Sequence, residues 1–189
     1  MKSKKQISAV KNIVVNPAVE SFVHLRWHAL LVFAFGSLLY LNTLTHEFTQ
    51  DDAIVIYDNM YTTKGISGIK GLFTKDTFFG FFKEEGKEKL VSGGRYRPLT
   101  PAMFALEYQI VGKNPFLGHL INILLYGFLC LMVYKLLISM ICHKEDSERK
   151  RYWVLIAALI YAAHPIHTEA VANIKGRDEI MSMLGSVFA

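Results

Sequence analysis

The stretch "NPFLGHLINILLYGFLCLMVYKLLISMICH", Asn114 to His143, holds one charged side chain, Lys135, in thirty residues. Asn114 to Tyr134 alone is twenty-one residues without Asp, Glu, Lys or Arg. Crossing roughly 30 Å of hydrocarbon takes about 20 helical residues, so this run reads as a membrane span beginning near Pro115, where proline suits a first helical turn. Lys135, near the far end, can snorkel to the headgroups. Outward from it, Trp27 to His46 gives a second uncharged window of twenty residues and Tyr152 to Thr168 a third of seventeen, interrupted by Pro165. The last run, Ile180 to Ala189, is ten residues. It is too short to cross and reads as the start of a fourth span in a piece of a larger protein. The expected fold class is therefore an all-α integral membrane protein, with spans at about 27–46, 115–141 and 152–165, a fourth starting near 180, and an outer loop over 47–113.

Composition agrees: 52% of the 189 residues are hydrophobic and 13% aromatic, high for a protein facing water on all sides. The net charge of +5 calls for no nucleic acid, because the basic residues sit where a topology rule wants them. Lys2, Lys4, Lys5, Lys11 and Arg26 precede the first span, against Glu20 alone. Lys144, Arg149, Lys150 and Arg151 occupy the connection "CHKEDSERKR". Both segments are expected on the cytoplasmic side, with the N-terminal 22 residues a tail. The outer loop balances nine basic against nine acidic residues and, being long, translocates regardless of charge. No small-residue cleavage site follows the first span, which reads as an uncleaved anchor. Cys130 and Cys142 stand about 18 Å apart on one helix, too far for a disulfide.

That topology brings four polar clusters to one membrane surface. "TQDDAIVIYDN" carries Asp51 and Asp52 just beyond the first span. Each qualifies as a general base for a hydroxyl nucleophile, while the plain alternative is a helix N-terminus favouring acids. "GGRYRPLTP" carries Arg95 and Arg97, whose alternate spacing turns both to one side of an extended strand, and guanidinium forks match phosphate oxygens. The same arginines would suit ordinary phospholipid headgroups. "HPIHTE" offers His164, His167 and Glu169, with Pro165 ending or kinking the third span at His164 and opening a short helix. Imidazole and carboxylate suit a divalent metal, but the spacing matches no strong signature, so no cofactor is assigned and the cluster reads as a hydrogen-bonding grip on substrate. In "GRDE", Gly176 ends the short helix, Asp178 caps the next, and Arg177 points at the site or at lipid phosphate. Elsewhere in the loop, "GIKGLFTKDTFFGFF" suits either an interfacial segment or a small subdomain core. "KEEGKEKLVSGG" reads as a solvated loop. "TPAMFALEYQIVG" reads as an outer helix capped by Thr100 with Pro101 in its first turn.

"DDAIVIYDN", "RYRPLT", "FLGHLINILLY" and "HPIHTEAVANIKGRDE", in this order and spacing, resemble the N-terminal part of the transmembrane and tetratricopeptide-repeat-containing O-mannosyltransferases and their bacterial relatives. The likeness runs from about Leu30 to Ala189, and "HPxHTEAVA" followed by "GR" is its most specific part. The resemblance implies a GT-C helical bundle of which this chain holds the first helices, followed by repeats. It implies transfer of mannose from a polyprenyl-phosphate donor to a protein Ser or Thr hydroxyl, and catalysis by the acidic pair, here Asp51 and Asp52. On that reading Arg95, Arg97 or Arg177 would meet the donor phosphate, while His164, His167, Glu169 and Asp178 would orient substrate. The lysine-rich "KEEGKEK" departs from the animal members. A bacterial cytoplasmic membrane is the expected location, with the endoplasmic reticulum as alternative. The competing class is a non-catalytic transporter or assembly subunit that binds lipid or a partner.

Overall fold

A computed structural model describes residues 17–84, 96–142 and 148–189. Arg95, most of the lysine-rich loop and the first 16 residues lie outside them. All regular structure among the described residues is helical. The chain runs through α1 (Pro17–Leu38), α2 (Gln50–Asp52), α3 (Ile69–Thr74), α4 (Thr77–Phe82), α5 (Leu99–Val111), α6 (Pro115–Ile141), α7 (Glu148–Ala163), α8 (Thr168–Ala172) and α9 (Arg177–Phe188). Short 3-10 and π turns link them.

Among the described residues two segments are long and apolar enough to cross a membrane, Leu25–Thr45 and Pro115–Ile141. The third expected span differs. α7 stops at Ala163, and the chain bends by 45° into Pro165–Ala172, so a third crossing requires both pieces together. The bend has a local cause. Pro165 forbids helical backbone at His164, which adopts extended geometry, and the His164 Nδ1 accepts the Ile166 amide at 3.2 Å as an N-cap. α1 begins at Pro17, inside the stretch expected to be a tail.

α1, α6 and α7 pack side by side in alternating directions. At one end His28, on α1, lies against Tyr134 of α6 and Tyr152 of α7, with ring centroids 6.3 and 5.2 Å away. Toward the other end Tyr126 of α6 meets Tyr40 edge-on at 5.2 Å, and its hydroxyl donates to the Ala162 carbonyl at 2.8 Å. Hydrocarbon is as apolar as leucine, so helices in lipid associate by close packing and internal polar contacts rather than by expelling water. Small residues supply that approach here. Gly36 and Ser37 of α1 face Cys130 and Gly127 of α6, and a Cβ added at Gly127 would lie 2.2 Å from Ser37 Oγ and 2.9 Å from the Phe33 carbonyl oxygen. Leu30, Leu31, Leu124, Phe128, Ile156 and Ile160 face outward, as lipid-facing positions should. α9 runs alongside α6 in the same direction, from Arg177 beside Asn122 to Phe188 beside Phe128.

The outer loop folds onto the extended N-terminal turns of α6. Its organiser is Asn59, fully buried. Its amide donates to the carbonyls of Ile54 and Thr77, both at 3.1 Å, and its Oδ1 accepts from the Tyr61 and Thr62 amides. Gly80 packs on this side chain so closely that a Cβ there would sit 2.4 Å from Oδ1. The phenylalanine-rich segment forms α3 and α4. Leu72 is buried while Phe73 is about half exposed, so the segment packs on the loop and still presents an aromatic face. α5 starts at Leu99 with Pro98 as its N-cap, placing Thr100 inside the first turn rather than at the cap, with Pro101 in that turn as expected.

Gly127→Ala is expected to lower the stability of the detergent-solubilised protein by about 1–3 kcal/mol through overpacking. Gly185→Ala, on the open side of α9 with no atom within 4 Å of the new Cβ, is expected to be neutral or mildly stabilising. Thermal unfolding of both variants side by side checks this, and equal shifts would sink the close-approach reading.

Candidate active site

The acidic pair follows Thr49 at the outer end of the first span, in a capping box. Thr49 in extended geometry opens α2, and the Asp52 carboxylate reaches back to the Thr49 amide at 2.9 Å and hydroxyl at 3.1 Å. Its other oxygen accepts the main-chain N–H of Lys175 at 2.8 Å, an amide that also donates to Asn173 Oδ1 at 3.1 Å. Asp52 is fully buried. Burial pushes its carboxyl above the usual carboxylate range, and the hydrogen bonds from Thr49 and Lys175 oppose that rise. Asp51, one residue earlier, points the other way. Its side chain is 51% exposed, and its Oδ2 accepts from Lys175 Nζ at 2.8 Å. The two neighbours thus hold different stations: one is locked inside by the Thr49 and Lys175 amides, and one stands at the surface under the Lys175 ammonium.

Lys175 therefore joins "DD" to "IKGRDE" through both its backbone and its side chain. The "RYR" cluster joins the same segment through Arg97, whose Nη1 donates to Asp178 Oδ2 at 2.5 Å. Asp178 does not cap α9, contrary to expectation. Gly176 is the N-cap, in a position where a Cβ would lie 2.4 Å from the Ala170 carbonyl oxygen, and Asp178 sits in the first turn facing Arg97. An open cleft of about 740 Å³ begins at this pair, between Thr100 of α5 and the Glu179 and Met183 face of α9.

The "HPIHTE" cluster takes a neighbouring place. His167 packs its ring against Tyr161 at 4.6 Å, Tyr126 at 5.6 Å and His164 at 6.2 Å. With Tyr126, Tyr161, Glu179 and Met183 it lines a second cleft of about 300 Å³, so Glu179 and Met183 stand between the two clefts. Among the described residues no hydrogen bond or ion pair links His164, His167 or Glu169 to the aspartates, and no three His, Cys, Asp or Glu side chains are grouped to hold a metal ion.

Arg177 corrects the sequence reading most clearly. It faces neither lipid nor the cleft but is fully buried. Its guanidinium forms a two-armed ion pair with Glu107 of α5, donates from Nε to Asn122 Oδ1 at 2.8 Å and from Nη2 to the Gly118 carbonyl at 3.1 Å, and lies 4.6 Å from the centre of the Phe104 ring. Asn122 in turn donates to the carbonyls of Asn173 and Ile174 at 3.0 and 3.2 Å, fixing the turn that presents the Lys175 amide. Sequence reasoning gave no part to Thr49, Glu107, Asn122, Asn173 or Lys175. A signal was present: Glu107 is the sole acid in its helix, and Asn122 sits in the longest apolar run, positions where a polar group needs a polar partner. His119 lies close by, edge-on to His46 at 6.2 Å, with both ring nitrogens buried.

Removing one member of a buried ion pair leaves the other uncompensated, at a cost of about 3–5 kcal/mol. Arg177→Met is expected to lose stability on that scale, and Arg177→Met with Glu107→Gln to recover a large part of it. A double-mutant cycle in thermal or denaturant unfolding reads the coupling, and additive losses would show that the pair is not coupled.

No family model matches the chain, and no solved structure matches it. Curated relatives do. Human protein O-mannosyl-transferase TMTC1 is 36% identical over 156 residues, 82% of this chain and 16% of that protein. The mouse protein O-mannosyl-transferase TMTC2 is 34% identical over 151 residues, 80% of this chain and 16% of its own length. Mouse protein O-mannosyl-transferase TMTC3 is 32% identical over 152 residues, 80% of this chain and 15% of its own length. The chain therefore spans about a sixth of the length of these relatives, at 15–16%. Over about four fifths of its residues it is a homologue of the transmembrane and tetratricopeptide-repeat-containing protein O-mannosyl-transferases.

Proposed function

We propose that the chain supplies the acidic half of a glycosyl-transfer site, moving a sugar, mannose by analogy with its relatives, from a polyprenyl-phosphate donor to a protein hydroxyl at the outer surface of the membrane. The observation that carries the reading is the junction around Lys175, where the acidic pair, Arg97 and the head of α9 meet beyond the ends of the spans. A lipid-linked donor keeps its chain in hydrocarbon and its phosphate at the surface, which is where such a junction belongs. The basic connections favour a cytoplasmic N-terminus, which puts this surface on the outer or luminal side.

Glycosyl transfer with an oxocarbenium-like transition state needs a base for the incoming hydroxyl and positive charge near the departing phosphate. Asp51 takes the first role: its carboxylate is reachable, and among the described residues the Lys175 ammonium alone must yield for a hydroxyl to replace it. Asp52 holds the backbone of α2 to residue 175 and so aims its neighbour. Arg97, 53% exposed at the mouth of the larger cleft, and Lys175 provide the cations. Glu179, on the wall shared by the clefts, and His167, in the smaller one, orient sugar or acceptor.

Two conservative variants in the full-length protein separate the aspartates. Asp51→Asn is expected to cut transfer from a polyprenyl-phosphate-mannose donor about 10²–10⁴-fold, the worth of a general base. Its melting temperature should change little, because an exposed ion pair contributes about 0–1 kcal/mol. Asp52→Asn turns an amide N–H₂ toward one of its donors and is expected to lose both activity and about 1–3 kcal/mol of stability. Full transfer by Asp51→Asn would refute the assignment.

A further inference from the structure

At the end of the spans opposite the aspartates, a cleft of about 410 Å³ opens between α1 and α6, lined by Leu25, Arg26, Ala29, Tyr134, Lys135 and Ile138. We propose that it is a binding site for an anionic phospholipid, with the headgroup phosphate between Arg26 and Lys135 and an acyl chain against Ala29 and Ile138. Among the described residues the walls carry two cations and no carboxylate. Lys135 lies six residues before the end of α6, about 9 Å along the axis, and beyond it Met140 and Ile141 are exposed at 69% and 49%. Those apolar side chains require lipid around them, so the lysine stands below the headgroup level rather than in water. A cation at that depth is stable only beside an anion or where it reaches the interface.

Arg26 opens the candidate span of α1 and supplies the second cation. A guanidinium has five N–H donors and can serve a phosphate alongside another partner. Trp27 and Trp153, the two tryptophans of the chain, are 64% and 60% exposed at this same end, as expected of an aromatic belt at headgroup depth. Basic clefts between helices on the positively flanked side of a membrane are where anionic headgroups are held. A soluble phosphate would leave the apolar floor of Leu25, Ala29 and Ile138 uncovered, so the diacyl lipid is the occupant.

Native mass spectrometry of the detergent-solubilised chain, mixed with equal amounts of phosphatidylglycerol and phosphatidylcholine, tests the site. One phosphatidylglycerol should be retained in preference. Arg26→Gln with Lys135→Gln should lower that preference about thirtyfold, the worth of two cations at a charged surface, with phosphatidylcholine retention as an internal measure of intact fold. Arg149→Gln with Lys150→Gln removes the same charge outside the cleft and should leave the preference within about threefold, a small energy on the same scale. An equal loss in both pairs would overturn the proposal in favour of general attraction to a basic surface. Displacement of the lipid by millimolar inorganic phosphate would overturn it in favour of a free-anion site.

Discussion

The outer half of the molecule depends on one buried cation. The Arg177 guanidinium holds a carboxylate from α5, an amide oxygen and a carbonyl from α6, and the face of Phe104, with no exposure to solvent. A charge so placed is costly unless each donor is answered, and here the answers come from two separate helices, α5 and α6. That requirement positions α5 across the head of α6 and sets where α9 begins. Through Asn122 it also orders the Asn173–Ile174 carbonyls, and so the amide that Asp52 reads. The geometry of the acidic pair is thus set through groups on α5 and α6.

The helical framework was legible in the sequence because the bilayer simplifies the code. Uncharged runs in the 27–46 and 115–141 stretches announce themselves by length, and both appear as segments long and apolar enough to cross a membrane. Pro165 announced the break after α7 for an equally local reason. Arg97 and Asp178 were both singled out, and the structure pairs them, although nothing in one dimension said they would meet 81 residues apart. The direction of Arg177 was hidden because an arginine beside a membrane reads by default as a phosphate ligand. Only its meeting with Glu107, seventy residues earlier, turns it inward. The difference between Asp51 and Asp52 was equally hidden, since adjacent identical residues carry identical sequence signals until Thr49 caps one of them.

Two kinds of order therefore share the chain. Within lipid, α1 and α6 approach through glycine, serine and cysteine, and close packing substitutes for the missing solvent force. Beyond lipid, Asn59 and Arg177 act as polar hubs in a loop region of short helices that have little intrinsic stability. α6 belongs to both zones, its later turns in the bundle and its first turns offering Gly118 and Asn122 to the loop.

The contact from Asp52 to residue 175 is made to a main-chain amide. The information it reads is therefore the presence of an N–H, which nineteen of the twenty amino acids supply. Position 175 can drift in identity while the carboxylate keeps its hold, and proline alone is forbidden there. The lysine side chain on that residue is in consequence a separable element. It can be lost, exchanged or chemically modified, altering the charge that faces Asp51 while the scaffold beneath the pair stays as it was.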